Sequence, residues 1–82
     1  MEWKEKLHAN LQDELGDVVK YSDYAKASDG ATRQMFHDMA KEEMEHACSL
    51  WHMMECEKMT GMLNKEHIFK QAKEAFGSLN SR

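Results

Sequence analysis

Glu42-Glu43-Met44-Glu45-His46 lies inside a run whose apolar residues return every three or four positions: Met35, Phe36, Met39, Ala40, Ala47, Leu50, Met53 and Met54. That spacing is the signature of one face of an amphipathic helix. Glu43 and His46 fall on the same face, where the pattern calls for hydrophobic side chains, and together they spell E-x-x-H. The conflict between periodicity and chemistry makes this pair the reference point for the rest of the chain.

The helix carrying the pair is predicted from about Ala31 to about Met59, with Glu57 continuing its seam. Upstream, Trp3, Leu7, Leu11, Glu14, Val18, Tyr21 and Ala25 recur at the same spacing and predict a first helix over about 3–28. At 3.6 residues per turn, all of these fall within roughly 60° of Glu14, which is therefore central in its own apolar stripe. A second, weaker strip with Leu15 and Val19 offers a place for another packing partner, and Gly16 would permit close approach of a neighbouring helix. Between the two helices, Ser28-Asp29-Gly30 reads as a turn, with Gly30 able to take a positive φ. A connection this short makes the helices antiparallel neighbours.

Downstream, Thr60-Gly61 ends the second helix and Asn64 caps a third over about 65–76, whose apolar face is Ile68, Phe69, Ala72 and Phe76. Gly77-Ser78 is expected to close it, leaving a frayed tail. The expected fold class is all-α: an antiparallel two-helix hairpin plus a short third helix, forming a single domain over residues 1–82.

Composition supports this reading and narrows the function. The chain has no proline, four glycines and eight methionines, which suits helices with an adaptable core. At 82 residues it stands near the lower size limit for an unaided hydrophobic core, so a staple is expected. Cys48 and Cys56 are eight positions apart on one predicted helix, about 12 Å along its axis, too far for a disulfide. The remaining staples are a metal and self-association. A net charge of −4 with interspersed signs provides no basic patch for nucleic acid. With no apolar run of membrane length and no signal peptide, no membrane partner is expected and the chain reads as cytoplasmic.

A carboxylate buried without a partner is costly, so Glu14, Glu43 and His46 in apolar stripes need a joint explanation. A shared divalent cation is the simplest. Residues three apart share a helix face, so Glu43 and His46 can offer an oxygen and a nitrogen to one ion. Counted from Gly30, Glu14 is sixteen residues back and Glu43 thirteen forward, an offset of roughly one turn. Carboxylate-bridged dinuclear sites in four-helix bundles take two Glu and two E-x-x-H motifs, whereas this chain supplies one of each. It therefore encodes half a site. A homodimer about a twofold axis would complete a four-helix bundle and cover the apolar stripes, and a higher oligomer is also open. Mixed oxygen and nitrogen ligation suits Fe(II) or Mn(II) and admits Zn(II); iron, two ions per dimer, is the expected cofactor.

Glu14 followed by Tyr21, then Phe36-x-x-Met39-Ala40-x-x-Glu43-x-x-His46-Ala47, resembles the ferritin-like superfamily, and within it the rubrerythrin branch and the short two-helix encapsulated ferritins. The resemblance covers about residues 7–54. It implies that Glu14 is a terminal carboxylate ligand, Glu43 a metal-bridging carboxylate, His46 a terminal imidazole ligand and Tyr21 a hydroxyl just behind the ligands. It implies ferroxidase or oxygen- or peroxide-dependent oxidoreductase chemistry at a di-iron site. The chain departs from rubrerythrin in having half the bundle and no four-cysteine rubredoxin-like site, and from encapsulated ferritins in showing no recognisable shell-targeting tail.

Two other readings stand beside this one: a divalent-metal-binding protein without turnover, and a structural helical-bundle module whose buried polar residues fix register. Asp13, Asp17 and Glu42 flank the stripes, where they would attract cations toward the site or, as the blander reading has it, form a solvated acidic border. Cys48, His52 and Cys56 point to the opposite side of the second helix and are expected to be ordinary side chains.

Overall fold

The computed structural model describes residues 2–56 and 65–79. They form three α-helices, α1 (Glu2–Lys26), α2 (Gly30–Cys56) and α3 (Lys65–Leu79), with no strand among the described residues. The all-helical reading holds. The expected end of the second helix, with Glu57, Thr60-Gly61 and the Asn64 cap, lies outside the described residues.

The turn between α1 and α2 forms where Ser28-Asp29-Gly30 placed it. The Ser28 hydroxyl donates to the carbonyls of Tyr24 (2.9 Å) and Ala25 (3.3 Å), supplying partners that the last turn of a helix lacks. Gly30 takes φ 59°, in the left-handed region that glycine enters without steric cost. The Arg33 backbone N–H then donates to the Asp29 carbonyl at 3.2 Å, and α2 begins.

Arg33 does a second job. Its guanidinium donates to the Ala25 carbonyl (3.1 Å) and to the Leu79 carbonyl (3.3 Å), joining the C-terminal ends of α1 and α3 to the first turn of α2. A cation at two helix C-termini is favoured both by the free carbonyls and by the helix dipoles. Leu79 is almost wholly buried beside this clamp.

One core joins all three helices. Leu11, Leu15 and Val18 from α1 meet Ala47 and Met54 from α2 and Ala72 from α3, with Leu7, Val19, Met44, Leu50, Trp51, Ile68, Phe69 and Phe76 packed around them. The Trp51 and Phe69 rings, 4.8 Å apart, link α2 to α3. Chiefly, however, α3 packs against α1, which makes α1 the middle helix. The Leu15/Val19 strip is thus no minor face: Leu15 is fully buried, and the strip belongs to the same cluster as Ala72.

Two expectations are revised. α3 does not stop before Gly77-Ser78 but continues through them to Leu79, because Leu79 is held by burial and by Arg33, and Ser78 bonds back to the Ala75 carbonyl at 3.0 Å. Gly16 does not mark a helix contact within the chain, since a Cβ built there would meet nothing within 4 Å.

The burial of α3 on one side leaves another side of the hairpin open. Trp3, Tyr24, Met35 and Met53 are each about half exposed. At about 100° per residue, Trp3, Glu14 and Tyr21 share one direction on α1, while Met35, His46 and Met53 share one on α2. The sequence stripes are therefore wider than the intramolecular core, and their outer margin is uncovered.

Candidate metal centre

The Glu14, Glu43 and His46 side chains converge across the α1–α2 seam. One ligand atom from each lies within 4.8 Å of the others. His46 Nδ1 stands 3.6 Å from Glu14 Oε1 and 3.8 Å from Glu43 Oε1. The antiparallel hairpin brings Glu14 to this level despite the one-turn offset, and the i, i+3 spacing on α2 turns Glu43 and His46 to the same side.

Burial within the triad is graded. The Glu14 side chain is 18% exposed, that of Glu43 25% and that of His46 60%. Ala40, Ala47 and Met54 form the buried centre of α2, and His46 lies rotated from that centre toward the open face. The two carboxylates sit at the edge of the core and the imidazole just outside it.

The electrostatics of the site are unresolved by protein groups alone. Glu14 Oε1 is inaccessible to solvent and has no hydrogen-bond partner, with His46 Nδ1 just beyond bonding distance. The Glu43 carboxyl is pushed up to about 7, first by the adjoining Glu14 carboxyl, then by burial, by the Glu14 charge and by the Asp17 charge, with His46 pulling the other way. Two adjoining carboxylates favour keeping one proton on the pair. A cation in place of that proton would satisfy both carboxylates, the orphaned oxygen and the imidazole, so the residues present fit a divalent metal. Three protein ligands leave further coordination positions unfilled.

Tyr21 belongs to a different set of contacts. Its ring stacks on Phe36 at 6.3 Å and meets the edge of Tyr24 at 6.2 Å, while Tyr24 meets Phe36 at 5.2 Å, and Lys20 Nζ lies 4.9 Å from the Tyr21 ring centre. Asp17 is more involved than a solvated border residue: it is half-buried, its charge bears on Glu43, and it pairs with Lys20 at 3.4 Å. Its position three residues after Glu14 was the available signal. Asp13 and Glu42 are exposed.

A helical hairpin carrying two carboxylates and an imidazole on its seam has the ligand types of a ferritin-like metal-binding protein. The sequence model of the rubrerythrin family matches residues 5–80, and the chain belongs to the rubrerythrin family, within the ferritin-like superfamily. The match extends over α3 as well as the hairpin, beyond the 7–54 of the motif resemblance. No curated protein and no solved structure matches the chain. No described helix is long and apolar enough to cross a membrane.

Proposed function

We propose that two copies of this chain pair through the open α1–α2 face and that their Glu14, Glu43 and His46 residues hold a pair of iron ions, in a ferroxidase or an oxygen- or peroxide-dependent oxidoreductase. The observation that carries this reading is the position of the triad: a solvent-inaccessible, unpartnered carboxylate oxygen and a protonatable carboxylate lie beside an imidazole that points out of the monomer core. Bound iron would supply redox chemistry toward oxygen or peroxide.

The protein's share of that chemistry follows from the same residues. Glu14, least exposed of the three, would hold a metal from the deep side of the site, and Glu43, next to it, would offer the second carboxylate. Loading releases the proton held between these carboxylates, which ties affinity to pH. His46 supplies a nitrogen ligand from the open side. Met35, Met53, Trp3 and Tyr24 supply apolar area that a partner copy would cover, excluding water from the site. Tyr21 is proposed as a hydroxyl donor behind the ligands.

The test is oxygen-dependent oxidation of added Fe(II). The reading predicts oxidation well above the solution rate, lost in Glu43→Ala and in His46→Ala. Stoichiometric metal binding without accelerated oxidation would instead support a metal-handling protein, and a melting temperature indifferent to chelator would support a structural module.

A further inference from the structure

α3 buries one side, with Ala72 and Leu79 in the core and Ile68 and Phe76 packed beside them. Its other side, together with Trp51 of α2, forms an open groove of about 400 Å³ lined by Trp51, Glu66, Phe69, Lys70, Lys73 and Glu74. The floor is the half-buried Trp51 and Phe69 ring pair, and the rim is four exposed charged side chains. We propose that this groove receives the α3 of a second copy, packed antiparallel about a twofold axis, at a contact separate from the open α1–α2 face.

The argument rests on charge complementarity. Glu66 and Lys73 are seven residues apart on α3, so they share one line of the helix about 10 Å apart along its axis, with Phe69 and Lys70 between them. In an antiparallel pair centred between Phe69 and Lys70, Glu66 of one copy faces Lys73 of the other, and the twofold axis makes that pair twice. The same register brings Lys70 of each copy over the Phe69 ring of the other, a cation on an aromatic face. A parallel pair would instead set Glu66 on Glu66 and Lys73 on Lys73, which repel. The chain itself leaves these charges available. Among the described residues none of the four is in an ion pair, although Lys70 has a glutamate one turn away on either side, and Lys73 Nζ lies 5.9 Å from the Phe69 ring centre.

Exposed ion pairs are individually weak and are screened by salt. The Debye length falls from about 30 Å at 0.01 M to about 8 Å at 0.15 M ionic strength, so the contact forms at low salt and releases at physiological salt. It is therefore a salt-dependent contact between copies, and covering the Trp51 and Phe69 rings supplies its apolar share. Copies already paired through the α1–α2 face would carry two such grooves and would link into larger assemblies.

The experiment is sedimentation equilibrium of the full chain, reduced and with chelator, at about 0.01 M and about 0.15 M salt. The natural protein should have the higher mass at low salt. Lys73→Glu and Glu66→Lys should each weaken the low-salt association roughly tenfold or more, since each turns two attractions into two repulsions. The double variant, Glu66→Lys with Lys73→Glu, has the net charge of the natural chain and should regain the association, a rescue that neither a general charge effect nor a folding defect reproduces. Met35→Glu with Met53→Glu should keep the salt-dependent step, so that failure of the α1–α2 dimer and failure of this contact are told apart. All four positions are exposed, and circular dichroism checks that each variant folds. Equal mass of the natural protein at the two salt concentrations, charge reversals without effect, or a double variant that stays dissociated would each overturn the assignment.

Discussion

Glu14 Oε1 lies 3.6 Å from His46 Nδ1, on the neighbouring helix, close enough to share a cation and too far to share a hydrogen bond. With Glu43 Oε1 3.8 Å from the same nitrogen, the seam holds an arrangement that protein groups do not complete. The predictions below follow from that incompleteness and from the face on which it sits.

Metal-free protein should lose stability as pH rises. The Glu43 carboxyl is raised from 4.5 to about 7, so the folded state keeps a proton that the unfolded chain gives up. The resulting stabilisation is complete below about 4.5 and is lost as pH climbs through about 7. Melting in the presence of chelator should therefore occur at lower temperature at pH 8 than at pH 5.5, and Glu43→Gln should flatten the difference. An unchanged slope in Glu43→Gln would show that another group sets it.

With metal the dependence should reverse. A cation must displace the proton between Glu14 and Glu43, so affinity should rise across the same interval. At a free metal concentration of about 100 times Kd, binding would stabilise by about 2.7 kcal/mol, which for a domain of this size is a rise in Tm of roughly 10–20 °C. Calorimetric scans with Mn(II), which avoids oxidation, should show that rise in the natural protein and its loss in Glu14→Ala and His46→Ala.

Charge placed on the open face should separate the copies without unfolding them. Met35 and Met53 are 52% and 46% exposed, so Met35→Glu or Met53→Glu costs little within one chain. Sedimentation should show the natural protein as a dimer and the double variant as a monomer, with equal helical content by circular dichroism. The monomer should also lose most of its metal affinity, because each half-site lacks its complement.

Arg33→Ala should loosen the end of the molecule opposite to Trp3. Removing a guanidinium that serves the Ala25 and Leu79 carbonyls should cost about 1–3 kcal/mol and speed amide exchange in the last turn of α3. Metal binding should survive, since Arg33 does not touch the triad.

Much of this was legible in the chain because helix periodicity is a local property. The i, i+3, i+4 recurrence placed the three helices, and Ser28-Asp29-Gly30 placed the turn, since only glycine takes φ 59° there without strain. The same periodicity singled out Glu14, Glu43 and His46 by the rule they break. What could not be read was which edge of each stripe the monomer buries. Leu15 looked secondary and proved central, because α3 chose α1 as its partner, a tertiary preference that no single helix encodes. His46, on the α2 stripe, lies on the open margin of the core. The reach of Arg33 to Leu79, and with it the continuation of α3 past Gly77-Ser78, depends on a contact between residues 46 positions apart.

The most direct measurement is a crystal structure of protein loaded with Fe(II) without oxygen, with anomalous scattering recorded on both sides of the iron edge. The account predicts a twofold dimer with iron between the α1–α2 seams, bound by Glu14, Glu43 and His46 of both copies. A monomer, or iron bound without these three residues, would contradict it.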